Sequence, residues 1–111
     1  MSLFTINTDT ANDSGILYLT GYINEEAGEK IREKSEVFFS SGVKNIVIDM
    51  KKVSLINSMG IAVLISLLNK LLIVKGRLII ITDNELIKKT LSIMGLQKYC
   101  TIVDDVNQVE L

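Results

Sequence analysis

NIVIDMKKVSLINSMGIAVLISLLNKLLIV, residues 45–74, is the stretch that decides the fold. It opens with the β-branched run Ile46-Val47-Ile48, which is typical of a buried strand. Residues 49–57 are more polar and predict a bend. An apolar segment with helical spacing follows, and Asn57 and Ser58 stand where a helix cap is needed. The stretch therefore places a serine hydroxyl, free backbone N–H groups and the positive end of a helix dipole at one spot.

The residues at the start of this helix have a plain structural explanation and a functional one. A single Ser or Asn cap stabilises a helix by ~1 kcal/mol. Here two cap-competent residues are adjacent, Asn57 and Ser58, and Gly60 follows in the first turn. Glycine at such a position costs up to ~1 kcal/mol relative to alanine. It also leaves a bare turn that another protein can approach closely, so the sequence leaves both explanations open.

The predicted helix, which starts near Met59, carries more apolar residues than one buried face requires. One stripe at helical spacing suits packing on a sheet and consists of Ile61, Leu64, Ile65, Leu68 and Leu72. A second group is apolar or small and lies partly on other faces: Met59, Ala62, Val63 and Ser66. This group is either an exposed cluster that suits a protein partner or a surface covered by a neighbouring helix.

The segments before this stretch predict a hairpin and an amphipathic helix. Phe4-Thr5-Ile6 and Ile16–Thr20 read as its strands, around the turn residues 12–15. Asn24 is typical of a helix N-cap, and Gly42 of a helix end. The buried stripe predicted for this helix is Ala27, Ile31, Lys34/Ser35 and Phe38.

The segments after it continue the alternation of strand and helix. Arg77–Ile81 predicts a buried strand, and residues 82–84 predict the cap of a short helix. The apolar side predicted for that helix is Leu86, Ile87, Leu91 and Met94. Tyr99–Val103 predicts a last strand, and Asp104-Asp105 can cap a short terminal helix. This spacing predicts one α/β domain with a largely parallel sheet.

The composition of the chain limits the number of domains, the kind of partner and the kind of chemistry that can be expected. The 111 residues suffice for one domain and one core. Twelve basic and thirteen acidic side chains are mixed along the chain, which argues against a nucleic-acid partner. The chain has no histidine, so it lacks the commonest general base and metal ligand, and we expect no cofactor, metal or catalytic residue. Cys100 is the single cysteine and is expected to be a half-buried strand residue in a reducing compartment.

Membrane insertion and export are not expected. The longest apolar run, Ile61–Val74, would span only ~21 Å as a helix, whereas a hydrocarbon core is ~30 Å thick. The first ten residues, MSLFTINTDT, lack the basic and apolar regions of a signal peptide. We therefore expect a cytoplasmic protein.

The run VIDMKKVSLINSMGIAVLI resembles the signature of the STAS domain, especially that of the bacterial anti-sigma factor antagonists. Family members show an apolar strand, an Asp, a short loop, and Asp-Ser-Ser/Thr-Gly-Leu-Gly opening an apolar helix. Gly15 to Asn24, Gly76-Arg77-Leu78 and Met94-Gly95-Leu96 resemble flanking family segments in the same order. The resemblance covers essentially residues 1–111. It implies a single STAS-type domain with a four- to five-stranded mixed sheet and helices packed around it.

The resemblance also implies a modification site. Ser58 matches the serine that a partner kinase phosphorylates in the family. Asn57 replaces the family's Asp, Met59 replaces its second hydroxyl residue, and Gly60 is unchanged. Asp49 matches the Asp at the end of the central strand and is expected to order the loop. The partner-binding residues expected on this basis are Asn57, Ser58, Met59, Gly60, Ala62, Val63 and Ser66.

The function implied by the resemblance is a phosphorylation-controlled partner switch. The unphosphorylated protein would bind an anti-sigma factor that is also a serine kinase. Phosphate on Ser58 would add ~−1.5 to −2 charge at a helix N-terminus, which tolerates an anion, and would make the partner surface charged and bulky. The partner would then be released, and a serine phosphatase would restore the binding form.

Three alternatives remain beside this hypothesis. An enzyme is disfavoured because the sequence has no phosphate-binding glycine loop, dinucleotide fingerprint or nucleophile elbow. A receiver domain would explain Asp49 but needs an acidic pair after the first strand and a late lysine, neither of which is evident. A STAS module that binds its partner without phosphorylation is the third, as a subunit of a regulatory or transport-associated complex.

Overall fold

The computed structural model describes residues 3–109, and these residues form a five-stranded sheet with three α-helices. In chain order the elements are β1 (Thr5–Ala11), β2 (Ser14–Ile23), α1 (Glu25–Ser40), β3 (Asn45–Ile56), α2 (Ser58–Ile73), β4 (Arg77–Ile81), α3 (Glu85–Ile93) and β5 (Thr101–Val103). Two short 3-10 helices cover Leu96–Lys98 and Val106–Gln108. The predicted α/β class with a mixed, largely parallel sheet is confirmed. The full extent 1–111 stays a prediction, because Met1, Ser2, Glu110 and Leu111 lie outside the described residues.

The strands lie in the sheet in their order along the chain, β1-β2-β3-β4-β5. β1 and β2 are antiparallel and joined by a two-residue turn, Asn12-Asp13, in which both residues have positive φ. Such a turn matches the right-handed twist of the strands, and it confirms the predicted hairpin. The other three pairs are parallel. Each strand of the hairpin extends further than the sequence pattern predicted.

The three helices cover one face of the sheet. All three helices contribute buried side chains to the same core, for example Ile31 of α1, Leu64 of α2 and Leu91 of α3. Alternate strand residues such as Leu17, Ile48 and Ile80 join the helix residues in the main core. The intervening residues form a smaller core on the opposite face, centred on Val47, Ile79 and Ile81, with Ile16, Val103 and Val109 packed against it.

The predicted polar bend over residues 49–57 is wrong. β3 continues to Ile56, since β2 runs alongside it as far as the pair Ile23–Ile56. Val53 and Ile56 are buried, which anchors the second half of the strand. Two irregularities in the β2–β3 register absorb the extra residues of β3, and the lysines and Ser54 in this half gave the polar pattern of a bend. Asp49 therefore ends the pairing with β4, at Ile81, but does not end β3.

The buried faces of α2 and α3 are rotated from those predicted. In α2 the buried residues are Gly60, Ile61, Leu64, Leu67, Leu68 and Leu71. Ile65 is half-buried and packs against the main core, whereas Leu72 is exposed, so placing Leu72 in the stripe was wrong. In α3 only Ile87 and Leu91 are buried, whereas the predicted Leu86 and Met94 are exposed. In α2 the sequence gives little information on which face is buried, because nearly every face of this helix is apolar.

The remaining expectations are mostly confirmed. Asn24 caps α1 by accepting from the Ala27 N–H at 3.0 Å. In the stripe of α1, Ser35 is buried and donates to the Ile31 carbonyl at 2.8 Å, whereas Lys34 is exposed. The last strand is shorter than predicted and begins at Thr101. Asp105 caps the last 3-10 helix. Within residues 3–109, no helix combines the length and apolar character that crossing a bilayer requires.

Candidate functional site

The start of α2 is held in place by the backbone and side chain of Asn57. The Asn57 N–H donates to the Ile23 carbonyl at 3.0 Å, which continues the β2–β3 pairing past the end of β3. The side-chain oxygen of Asn57 accepts from the Gly60 N–H at 2.9 Å. The backbone carbonyl of Asn57 accepts from the Ile61 N–H at 3.0 Å. Asn57 is thus the N-cap, and Ser58, the first helical residue, is exposed to solvent.

All three α-helices begin at the same edge of the sheet, because each follows a parallel strand, and each is capped by an asparagine: Asn24, Asn57 and Asn84. We call it the carboxyl edge. The first turn of α1 contains Glu25 and Glu26, and that of α3 contains Glu85, so carboxylates complement both dipoles. The first turn of α2 contains no acidic residue. Ser58 therefore lies at the one α-helix start within residues 3–109 whose dipole lacks an anion from its own first turn.

Gly60 faces the core. A Cβ at this position would lie 2.8 Å from side-chain carbons of both Ile23 and Ile56 and 2.9 Å from the Ile23 carbonyl oxygen. The ends of β2 and β3 thus press against the first turn of α2, and only glycine fits. This packing explains the glycine in the first turn without a partner. Contact of Gly60 with a partner stays a prediction.

The second group of small and apolar residues on α2 is divided between two environments. Met59 is 48% exposed, and Ala62 and Ser66 are also exposed. Val63 is half-buried against α1, where a Cβ on Gly28 would come within 2.8 Å of it. Of the two possibilities raised by the sequence, coverage by a neighbouring helix holds for Val63, and exposure holds for the other three. An ion pair between Lys70 and Glu36 joins the same two helices further along.

The structure adds Leu55 to the surface around Ser58. Leu55 is 47% exposed at the end of β3, although it stands in a run predicted to be polar. The register shift between Gly21 and Tyr22 breaks the inside–outside alternation of β3, so Leu55 points outward while Val53 and Ile56 are buried. Strict alternation across this run could not have revealed its exposure. Leu55, Ser58 and Met59 thus form an exposed set around the start of α2, which we call the helix-start surface.

Asp49 orders the chain locally. Its carboxylate accepts from the Lys51 N–H at 3.0 Å, within the stretch where β3 changes register against β2. The bond satisfies a backbone group at an irregular point of the strand. The expected role in ordering the loop itself stays a prediction, since β3 continues for seven residues beyond Asp49.

Reactive groups are sparse in the described part of the chain. No group of carboxylate, thiol or imidazole side chains within residues 3–109 could hold a metal ion. Cys100 is half-buried, and its thiol donates to the Leu96 carbonyl at 3.2 Å. Burial raises the pKa of the Cys100 thiol to about 11. A thiol with so high a pKa is a poor nucleophile at neutral pH.

The fold and the site define a small α/β domain that presents a capped helix N-terminus, with an exposed serine, at the carboxyl edge of its sheet. The chain belongs to the STAS domain family, whose model matches residues 5–109. The resemblance seen in the sequence is therefore confirmed. Comparison with curated protein sequences gave no match.

Solved structures of anti-sigma factor antagonists share this fold at low identity. The unphosphorylated form of the anti-sigma factor antagonist SpoIIAA is 21% identical, with a TM-score of 0.75 over 96% of this chain and 92% of SpoIIAA. A putative anti-sigma factor antagonist from Thermotoga maritima is 19% identical, with a TM-score of 0.85 over 93% and 89%. The phosphorylated form of SpoIIAA from Bacillus is 21% identical, with a TM-score of 0.72 over 90% of both chains.

Proposed function

We propose that this protein is an anti-sigma factor antagonist that switches partners through phosphorylation of Ser58. In its unphosphorylated form it binds a cytoplasmic anti-sigma factor that is also a serine kinase. The kinase phosphorylates Ser58, the complex separates, and a serine phosphatase returns the protein to its binding form. The protein itself contributes no catalytic group. The proposal rests on family membership and on the position of Ser58.

One observation carries the proposal: Ser58 is exposed at the N-terminus of α2, while Asn57 does the capping. Because Asn57 satisfies the Gly60 N–H, the Ser58 hydroxyl is not needed to hold the helix. A kinase can therefore modify Ser58 without removing a structural hydrogen bond. The fold should tolerate the change.

Electrostatics favour a phosphate at this position. The phosphate carries ~−1.5 to −2 charge, and the start of α2 has no carboxylate of its own to repel it or to neutralise the dipole. A phosphate on the first turn of α1 or α3 would instead meet Glu25, Glu26 or Glu85. We therefore expect phosphorylation to leave α2 intact and to act on the partner.

The helix-start surface is the contact area that a phosphate on Ser58 would disrupt. Leu55 lies three residues before Ser58 and Met59 directly follows it, and both are about half exposed, so they offer apolar area at the end of β3 and the start of α2. A phosphate on Ser58 must be desolvated when a partner docks on this surface, which opposes binding. Partner release then follows from local charge and bulk, without a change of fold.

The experiment compares three forms of the protein against the anti-sigma serine kinase of the same organism. Wild type and Ser58→Ala should bind the kinase with similar affinity by calorimetry, whereas Ser58→Asp should bind at least ~10-fold more weakly. Incubation with kinase and ATP should add about 80 Da to wild type and nothing to Ser58→Ala. Equal affinity of the Ala and Asp variants would sink the switch. Binding without any phosphate transfer would favour a STAS module that does not switch.

A further inference from the structure

The sheet edge opposite Ser58, where β2–β5 begin, carries exposed apolar side chains. We call it the amino edge. α2 and α3 both end there, because they lead into the adjacent parallel strands β4 and β5. Ile73 is 81% exposed and Ile93 is 74% exposed. Exposed apolar neighbours at the same helix ends are Leu72, Val74, Met94 and Tyr99, and none of the six belongs to either core.

Basic side chains stand in the connections at the same edge. The connections at the amino edge (residues 12–13, 41–44, 74–76 and 94–100) contain one acidic side chain, Asp13, against three lysines: Lys44, Lys75 and Lys98. The carboxyl edge has the opposite character, with acidic residues at the helix starts and after β5: Glu25, Glu26, Asp83, Glu85, Asp104 and Asp105. The domain is thus electrically polarised along its strands.

We propose that the amino edge docks this protein on an anionic membrane surface. Apolar side chains would enter the headgroup region while lysines contact lipid phosphates, the combination that peripheral binding requires. The apolar residues stand at the tips of two separate helices and a loop, so they suit a flat and deformable surface better than a shaped protein groove. A second copy of the chain would bring two basic edges together, which like-charge repulsion opposes.

Docking in this orientation leaves the Ser58 site accessible. The sixteen residues of α2 span ~24 Å, with Ser58 at one end and Ile73 at the other. The acidic carboxyl edge would face away from the lipid phosphates. The inference does not depend on phosphorylation, since the two sites lie at opposite ends of one helix.

The test measures co-sedimentation of the full chain with vesicles of phosphatidylcholine alone and of phosphatidylcholine mixed with phosphatidylglycerol. Wild type should bind only the anionic vesicles, and less as salt rises. The variant Lys75→Glu/Lys98→Glu should lower the partition coefficient by at least about tenfold. The matched control Lys51→Glu/Lys52→Glu makes the same change in net charge on β3, away from this edge, and should bind like wild type.

A second pair of variants separates the apolar contribution from charge. Ile73→Ser/Ile93→Ser keeps every charge and should weaken binding by about tenfold, with an unchanged circular dichroism spectrum because both side chains are exposed. No binding of wild type to anionic vesicles, or equal loss in the two lysine pairs, would overturn the proposal. A dimer in sedimentation velocity that Ile73→Ser/Ile93→Ser abolishes would also overturn it, by assigning the edge to a second copy.

Discussion

The backbone N–H of Asn57 donates to the carbonyl of Ile23 at 3.0 Å, so the hydrogen bonding of β2 continues one residue past the end of β3, to the N-cap of α2. This bond fixes the start of α2 relative to the end of β2. The Asn57 side chain then caps α2 by accepting a hydrogen bond from the Gly60 N–H. The position of Ser58 thus follows from the sheet rather than from a flexible loop.

Replacing Asn57 should lower the stability of the protein to the extent that the new residue caps a helix less well than asparagine. We expect Asn57→Ala to lower the free energy of unfolding by ~1 kcal/mol, because the Gly60 N–H loses its acceptor. Asn57→Asp keeps the acceptor and adds a charge that the dipole favours, so it should match or exceed wild type. Urea denaturation measures both. Equal stability of the Ala and Asp variants would show that the cap contributes nothing.

Gly60→Ala should destabilise the protein even though alanine is the better helix former. The added methyl would lie 2.9 Å from the Ile23 carbonyl oxygen, a backbone atom that cannot move aside cheaply. Overpacking of this kind costs ~1–3 kcal/mol, more than the up to ~1 kcal/mol that alanine gains in propensity. Ala62→Gly is a useful comparison in the same turn of helix, since Ala62 is exposed and only propensity should change.

Gly28→Ala should destabilise the protein, and shortening the side chain of Val63 should relieve part of that effect. Its Cβ would meet a methyl group of Val63 at 2.8 Å, where α1 and α2 pack. Shortening the neighbour removes that collision, so Val63→Ala should cost less in the Gly28→Ala background than in wild type. A double-mutant cycle in urea measures the coupling, expected at ~0.5–3 kcal/mol for residues in contact. Additive effects would contradict the packing.

Charge at residue 58 should change stability without any partner. We expect Ser58→Asp to raise the free energy of unfolding by ~0.3–1 kcal/mol and Ser58→Lys to lower it by a similar amount. The reason is that the first turn of α2 has no acidic residue of its own. Both effects should shrink in molar salt, which screens exposed charges. Ser58→Gln provides an uncharged control for the longer side chain.

Cys100 should react slowly while the protein is folded. Burial raises the pKa of its thiol from an ordinary value of 9.0 to about 11. At pH 8 the thiolate fraction is then ~100-fold lower than in an unfolded chain, and alkylation by iodoacetamide should slow accordingly. The thiol pKa is higher in the folded chain than in the unfolded chain, so the folded chain holds this proton more tightly. The contribution of Cys100 to the free energy of unfolding therefore falls as pH rises from about 9 to about 11. Rapid alkylation at pH 8 under native conditions would contradict the burial.

Much of the architecture could be predicted because strong local signals agreed with the tertiary structure. Apolar runs such as Arg77–Ile81 and the asparagine caps placed strands and helices correctly. The second half of β3 could not be predicted, since its lysines and Ser54 resemble a bend and only pairing with β2 makes it a strand. That pairing depends on residues some thirty positions away.

The site was predictable in part for the same reason. Asn57 and Ser58 carry a local capping pattern, which the structure resolves in favour of Asn57 as cap. The inward position of Gly60 depends on Ile23 and Ile56 together, and the exposure of Leu55 depends on a register shift. Neither is visible in a linear pattern. The rotation of α2 was equally hidden, since nearly all of its faces are apolar.

The strand order β1-β2-β3-β4-β5 has a consequence for how the chain folds. Every strand pairs with the one immediately before it in sequence, so each new strand and helix can add to an edge that already exists. No strand has to be inserted between two partners, and loop-closure entropy stays small at each step. This order suits stepwise assembly of the sheet while the chain is being synthesised from its N-terminus.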